Sequence, residues 1–140
     1  MSTVVATQPV PKETPVSEPY WAGLREGVLK MQKCRACGQL RHYPRLVCNR
    51  CWSMEVDWVV ASGKAWAHSW SVAHHAFHPG LAGEVPYVVV VADLEEGVRT
   101  LGRLLDADAG SLQIGTSLQL DIRDRGDGLR LPFFRVMTDA

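Results

Sequence analysis

Four cysteines fall within eighteen positions, as Cys34-Arg35-Ala36-Cys37, ten intervening residues, and Cys48-Asn49-Arg50-Cys51, and the 140-residue chain has no others. A C-x-x-C turn lets two thiolates converge on one cation, and two such turns complete a tetrahedral S4 site, most often for zinc. Gly38 follows the first pair, where a tight turn needs a residue that tolerates positive φ. The segment from Gln39 to Arg45 suits a short strand ending at Pro44. Two disulfides would suit a secreted chain, but the first residues show no basic stretch followed by an apolar run. Thioredoxin-type chemistry uses one C-x-x-C at a helix start in a βαβ unit, a context absent here. Iron fits the same four sulfurs as zinc does, so the choice of metal stays open at this point. Four thiolates leave no coordination position for a substrate, which makes the site structural rather than catalytic.

At this length one or two small modules are expected. The formal net charge is zero, so nothing global draws the chain to nucleic acid or anionic membranes, and no apolar run is long enough to span a bilayer. The charge is unevenly spread. Residues 19–58 carry seven Lys and Arg against three Asp and Glu, whereas residues 59–140 carry seven against ten. The cysteine-bearing segment is therefore basic, and Lys33, Arg35, Arg41 and Arg45 read either as a solvated face or as contacts for an anionic ligand or partner. Metal-type cysteine usage without a leader-like stretch makes the cytoplasm the expected compartment.

In chain order, residues 1–16 hold three prolines and no apolar periodicity, so a mobile tail is expected. Residues 17–31 read as a helix with Ser17 as N-cap, on which Trp21, Leu24, Val28 and Met31 recur at helical spacing. That stripe packs either on the chain's own core or on another subunit. Residues 32–58 form the metal ribbon. From residue 59 the pattern changes to short strands. Trp66, His68, Trp70 and Val72 alternate with small residues, which places Trp66 and Trp70 together in the core. A loop of two prolines and two glycines follows at residues 74–86. Tyr87 to Ala92 and Val98 to Leu105 make a hairpin, residues 106–114 a short helical turn, and Ser117 to Arg123 and Leu129 to Val136 a second hairpin. Five strands with a short helix after the third match the order of an OB-fold barrel over residues 59–140.

Little here does chemistry. His74, His75 and His78 lack the helical register of a metalloprotease motif, and with Phe77 they read as an interface, a ligand passage or solvated side chains. The thiols are committed to metal, and Asp106 and Asp108 look like turn caps. OB-folds and zinc ribbons also bind nucleic acid, so an independent single-strand-binding module is the alternative. The net-acidic barrel disfavours it.

The order of helix, C-x-x-C ribbon and five-stranded barrel resembles the DUF35 family over about residues 18–137. Its landmarks are Tyr20-Trp21, the four cysteines, Tyr43-Pro44-Arg45 and the Trp70 to His78 stretch. Pro86-Tyr87-Val88, Leu94-Glu95-Glu96-Gly97 and Leu131-Pro132-Phe133-Phe134-Arg135 follow. The resemblance implies a rubredoxin-like ribbon with one structural zinc held by Cys34, Cys37, Cys48 and Cys51. It also implies a non-catalytic subunit in a hetero-oligomer with a thiolase-superfamily enzyme acting on acyl-CoA. On that reading Lys33, Arg35, Arg41, Arg45, Trp21, His74, His75, Phe77 and His78 are the candidate contacts to CoA or to the partner.

Overall fold

The computed structural model describes residues 8–137. Helix α1 spans Glu18–Arg25 and leads into β1 (Lys30–Cys34), which pairs antiparallel with the short β2 (Leu40–Arg41) and with β3 (Val56–Val60). The remaining strands are β4 (Lys64–Ala73), β5 (Tyr87–Leu94), β6 (Arg99–Leu104), β7 (Ser117–Asp124) and β8 (Arg130–Val136). They close into a barrel in the order β4-β5-β6-β8-β7, with a 3-10 turn at Ala109–Ser111 between the third and fourth barrel strands. This is the OB-fold connectivity. All neighbours pair antiparallel except β6 and β8, which meet in parallel at Arg103↔Phe133 and Leu104↔Phe134. No helix among the described residues is long and apolar enough to cross a membrane.

The helix is shorter than residues 17–31. Gly27 takes φ +87° and its N–H donates to the Leu24 carbonyl, while the Val28 N–H donates to that of Gly23. This pair of bonds around a left-handed glycine is a Schellman stop, and it turns Leu29 and Met31 onto an extended path instead. Pro19 and Glu18 sit in the first turn as expected, but the Ser17 hydroxyl bonds to Thr14 and leaves the helix N–H groups alone. Tyr20, Trp21 and Leu24 bury against Leu29, Met31 and the barrel residues Leu94, Leu118 and Phe134 in one continuous cluster. The helix therefore packs on the chain's own core, where each large apolar side chain contributes about 1.5–3 kcal/mol of burial.

Residues 8–16 have no regular element but are tied down. Arg125 donates to the Pro9 carbonyl at 2.9 Å, and Arg25 pairs with Glu13. Residues 8–16 of the segment expected as a tail are thus held in place, and residues 1–7 lie outside those described.

Strand β4 corrects the placement of the tryptophans. Ala67 pairs with Ala92, but the next partners are Ser69 and Val91, so one extra residue, His68, bulges out of the ladder. A single inserted residue reverses which side chains face inward. Before the bulge Ala65 and Ala67 are buried and Trp66 is exposed; after it Trp70 and Val72 pack on the core. Opposite, Gly102 leaves room for the ring of Phe134, which is fully buried at the barrel centre.

Candidate metal centre and ribbon loop

The two C-x-x-C turns adopt the same backbone. Cys34 and Cys48 accept through their carbonyls from the N–H groups of Gly38 (2.8 Å) and Trp52 (2.9 Å). Their own N–H groups donate to the carbonyls of Gln39 and Ser53, each at 2.9 Å. All four Sγ atoms lie within 4.8 Å of one another, with Cys34–Cys51 at 3.4 Å and Cys37–Cys48 at 3.7 Å. A tetrahedral zinc with bonds near 2.3 Å would set sulfurs about 3.8 Å apart. The four thiols, none in a disulfide, are positioned to bind one metal ion.

Their electrostatics agree. The Cys37 backbone N–H, foremost among several groups, draws the Cys34 thiol down to about 6, and the N–H groups of Cys51 and Arg50 lower Cys48. The Ser53 N–H acts to lower Cys51 as well, yet bonding to Cys34 and the other thiols pushes it up to about 12. Thiols packed this closely cannot all ionise by themselves. A divalent cation removes that conflict and takes all four as thiolates.

The segment expected as a strand ending at Pro44 is one only over Leu40–Arg41, and the ribbon organises the rest as a loop. Gln32 is buried in β1, and its Oε1 accepts from Arg41 Nε at 2.7 Å and from the Arg45 backbone N–H at 2.8 Å. Arg41 Nη2 donates to the Arg45 carbonyl at 3.2 Å. This clasp presents Tyr43, whose hydroxyl accepts from Trp21 Nε1 at 3.0 Å and whose ring meets Tyr20 edge-on. Nothing in local spacing marks Gln32, because its partners lie nine and thirteen residues on.

At the seam between ribbon and barrel, a groove of about 470 Å³ is lined by Tyr20, Tyr43, Leu101, Leu131 and Pro132. It shares His42 and Arg99 with an adjoining polar recess of about 360 Å³ that Arg41 and Arg45 border. Four buried atoms beside these hollows, Gln39 Oε1, Arg41 Nη1, His42 Nδ1 and Thr100 Oγ1, have no hydrogen-bond partner among the described residues. Burial draws His42 down to about 4, so its imidazole is neutral near pH 7. Burial, then the neighbouring Tyr43 phenol, pushes the Tyr20 hydroxyl up.

The other expected contacts scatter. Lys33 and Arg45 are exposed, and Arg35 is exposed but bonded to Asp57 at 2.9 Å. Trp21 and Arg41 are withdrawn into the interior, Trp21 by helix packing and Arg41 by its bond to Gln32. His74, His75 and Phe77 stay exposed on the loop before β5, with the His75 and Phe77 rings 4.7 Å apart. His78 accepts the Gly80 N–H on Nδ1 at 3.0 Å and so caps a 3-10 turn. The three histidines are not brought together as one site.

Comparison with known proteins bears on both modules. The family model described as "ChsH2, rubredoxin-like zinc ribbon domain" matches residues 21–57, and "ChsH2, C-terminal OB-fold domain" matches residues 58–123. A "Probable enoyl-CoA hydratase alpha subunit" of Thermomonospora curvata is 37% identical over 116 residues, which cover 83% of this chain and 36% of that protein. The chain thus spans about a third of that relative's length. A "DUF35 domain-containing scaffold protein" of Methanothermobacter thermautotrophicus is 30% identical over 99 residues, covering 68% of this chain and 74% of the relative. Among solved structures, a chain of the "Ltp2-ChsH2(DUF35) aldolase" superposes with a TM-score of 0.82 at 35% identity, over 91% of this chain and 98% of that one. With ribbon and barrel both matched in their order along the chain, this protein belongs to the DUF35 family, in its ChsH2-type form.

Proposed function

We propose that this chain is a non-catalytic accessory subunit that docks on a thiolase-superfamily enzyme acting on acyl-CoA thioesters. The observation that carries the reading is the match over 98% of the solved chain in the Ltp2-ChsH2(DUF35) aldolase. The geometry supports it. The thiols converge in a closed S4 arrangement, which suits zinc as a structural ion and gives substrate no open position. Cys34, Cys37, Cys48 and Cys51 would hold that zinc, which supplies folding energy to the ribbon and takes no part in bond making. Tyr20, His42 and Tyr43 meet at the seam through ring contacts, with no hydrogen bond between their polar atoms among the described residues.

The seam supports a role in holding the CoA ester. Its polar recess offers the guanidinium of Arg45 for phosphate, with Arg99 beside it paired to Asp93 at 2.7 Å, and the adjoining apolar groove suits the slender chain beyond it. Lys33 and the exposed loop of His74, His75 and Phe77 are further contacts on this reading, whether to the ester or to the partner. The testing experiment reconstitutes the purified thiolase-superfamily enzymes of the source organism with and without this chain. Acyl-CoA turnover is followed and metal is measured in the purified chain. The reading expects one zinc per chain, no turnover by the chain alone, and an enzyme whose turnover rises on its addition. Turnover by the chain alone, or no effect on any such enzyme, would count against it.

A further inference from the structure

The second cysteine turn of the ribbon carries a residue that its own backbone disfavours. The two turns share one hydrogen-bond pattern, and the residue after each second cysteine is left-handed, Gly38 at φ +79° and Trp52 at φ +67°. Glycine takes that conformation freely, whereas a large L side chain is strained there. Packing within the chain does not offset the strain, because 78% of Trp52 is exposed. Two more large apolar side chains stand out from the same turn region, Leu46 at 57% and Met54 at 61%. They border one shallow hollow together with Arg45.

The surrounding charge is mostly positive, with Glu55 next to Met54 and the Asp57 that holds Arg35 as its carboxylates. Lys33, Arg45 and Arg50 make no ion pair with a carboxylate among the described residues, in contrast to Arg35, which Asp57 holds. Exposed Arg50, Trp52 and Met54 within five residues of one turn have the composition of an interface centre rather than of an ordinary surface. We infer that the second cysteine turn is the anchor by which this chain docks on its partner enzyme: Trp52 enters an apolar pocket on the partner, and a carboxylate at the rim of that pocket meets Arg50. The inference rests on the accessory-subunit reading and adds to it the surface used and the chemistry of the complementary site. A tryptophan buries about 150–250 Å², against the roughly 800 Å² per partner of a stable interface, so the turn anchors a larger face. Arg45, which borders both the hollow beside Met54 and the polar recess at the seam, marks the direction in which that face continues.

The decisive variant is Trp52→Gly, because it relieves strain while it removes the anchor. Zinc content, unfolding midpoint, sedimentation and affinity for each purified thiolase-superfamily enzyme of the source organism are measured for wild type, Trp52→Gly, Met54→Glu, Arg50→Glu and Ile114→Ala. Ile114 is a control of matched exposure, 82%, on the barrel. The expected result is a midpoint for Trp52→Gly equal to or above that of wild type, with affinity at least tenfold weaker. Met54→Glu and Arg50→Glu should weaken binding similarly, Ile114→Ala should leave it unchanged, and a partner Asp or Glu changed to Lys should restore binding to Arg50→Glu. Wild-type affinity in both Trp52→Gly and Met54→Glu overturns the docking surface and leaves the accessory reading standing. A wild-type dimer that Trp52→Gly converts to monomer assigns the patch to a second copy and overturns it too. Absence of binding by wild type to every such enzyme sinks the accessory reading, and the inference with it.

Discussion

Replacing Gln32 by Met keeps the volume of the side chain and deletes its carbonyl oxygen. That atom is the acceptor for Arg41 Nε at 2.7 Å and for the Arg45 N–H at 2.8 Å, both in the ribbon interior. The first bond involves a guanidinium and is worth about 1.5–3 kcal/mol; the second is neutral and worth about 1 kcal/mol. Arg41 already has Nη1 without a partner, so in the variant its buried cation keeps a single bond, to the Arg45 carbonyl. The summed cost is roughly 3 kcal/mol. At roughly 2.1 cal/mol/K per residue, a chain of 140 residues loses about 10 °C of Tm for that cost. Scanning calorimetry on the zinc-loaded protein reads this directly. The double variant Gln32→Met with Arg41→Met should recover most of the loss, because no buried charge is then left unpaired. A Tm for Gln32→Met within about 2 °C of wild type would refute the claim that this amide holds the loop.

Cys34→Ser with Cys37→Ser should abolish stoichiometric zinc in elemental analysis and unfold the ribbon, seen as lost amide protection over residues 30–60. Burial holds His42 at about 4, below its ordinary 6.5, so the unfolded chain takes up a proton that the folded one refuses. Stability is then full above about pH 6.5 and declines by roughly 3 kcal/mol as pH falls toward 4, and His42→Phe should flatten that slope in urea titrations. Gly102→Ala would set a Cβ 2.6 Å from the Phe134 ring and should cost about 1–3 kcal/mol by chemical denaturation.

Much of the architecture is legible from local pattern, and the limits of that reading have physical causes. Cysteine spacing is a short-range signal, so the four cysteines that converge can be picked out from it, and strand alternation with turn residues points to the barrel order. The single-residue bulge at His68 is invisible to a period-2 reading, which is why Trp66 and Trp70 look equivalent in sequence and end on opposite faces. Gly27 is the signal that stops the helix; helical spacing continued by chance through Val28 and Met31 and masked it. The Gln32–Arg41 clasp and the seam hollows depend on contacts between distant elements, and no motif announces them. Trp52 occupies a middle ground. Comparing the two cysteine turns residue by residue sets it against Gly38 and exposes the anomaly, but its conformation and exposure come only from the fold.

The central claim is that this chain works as part of a complex. The measurement that tests it most directly is native mass spectrometry of the chain co-expressed with each thiolase-superfamily enzyme of its source. A stable hetero-oligomer with one enzyme, carrying one zinc per copy of this chain, is the expected result. A chain that flies alone beside every such enzyme, zinc-loaded and folded, would contradict it.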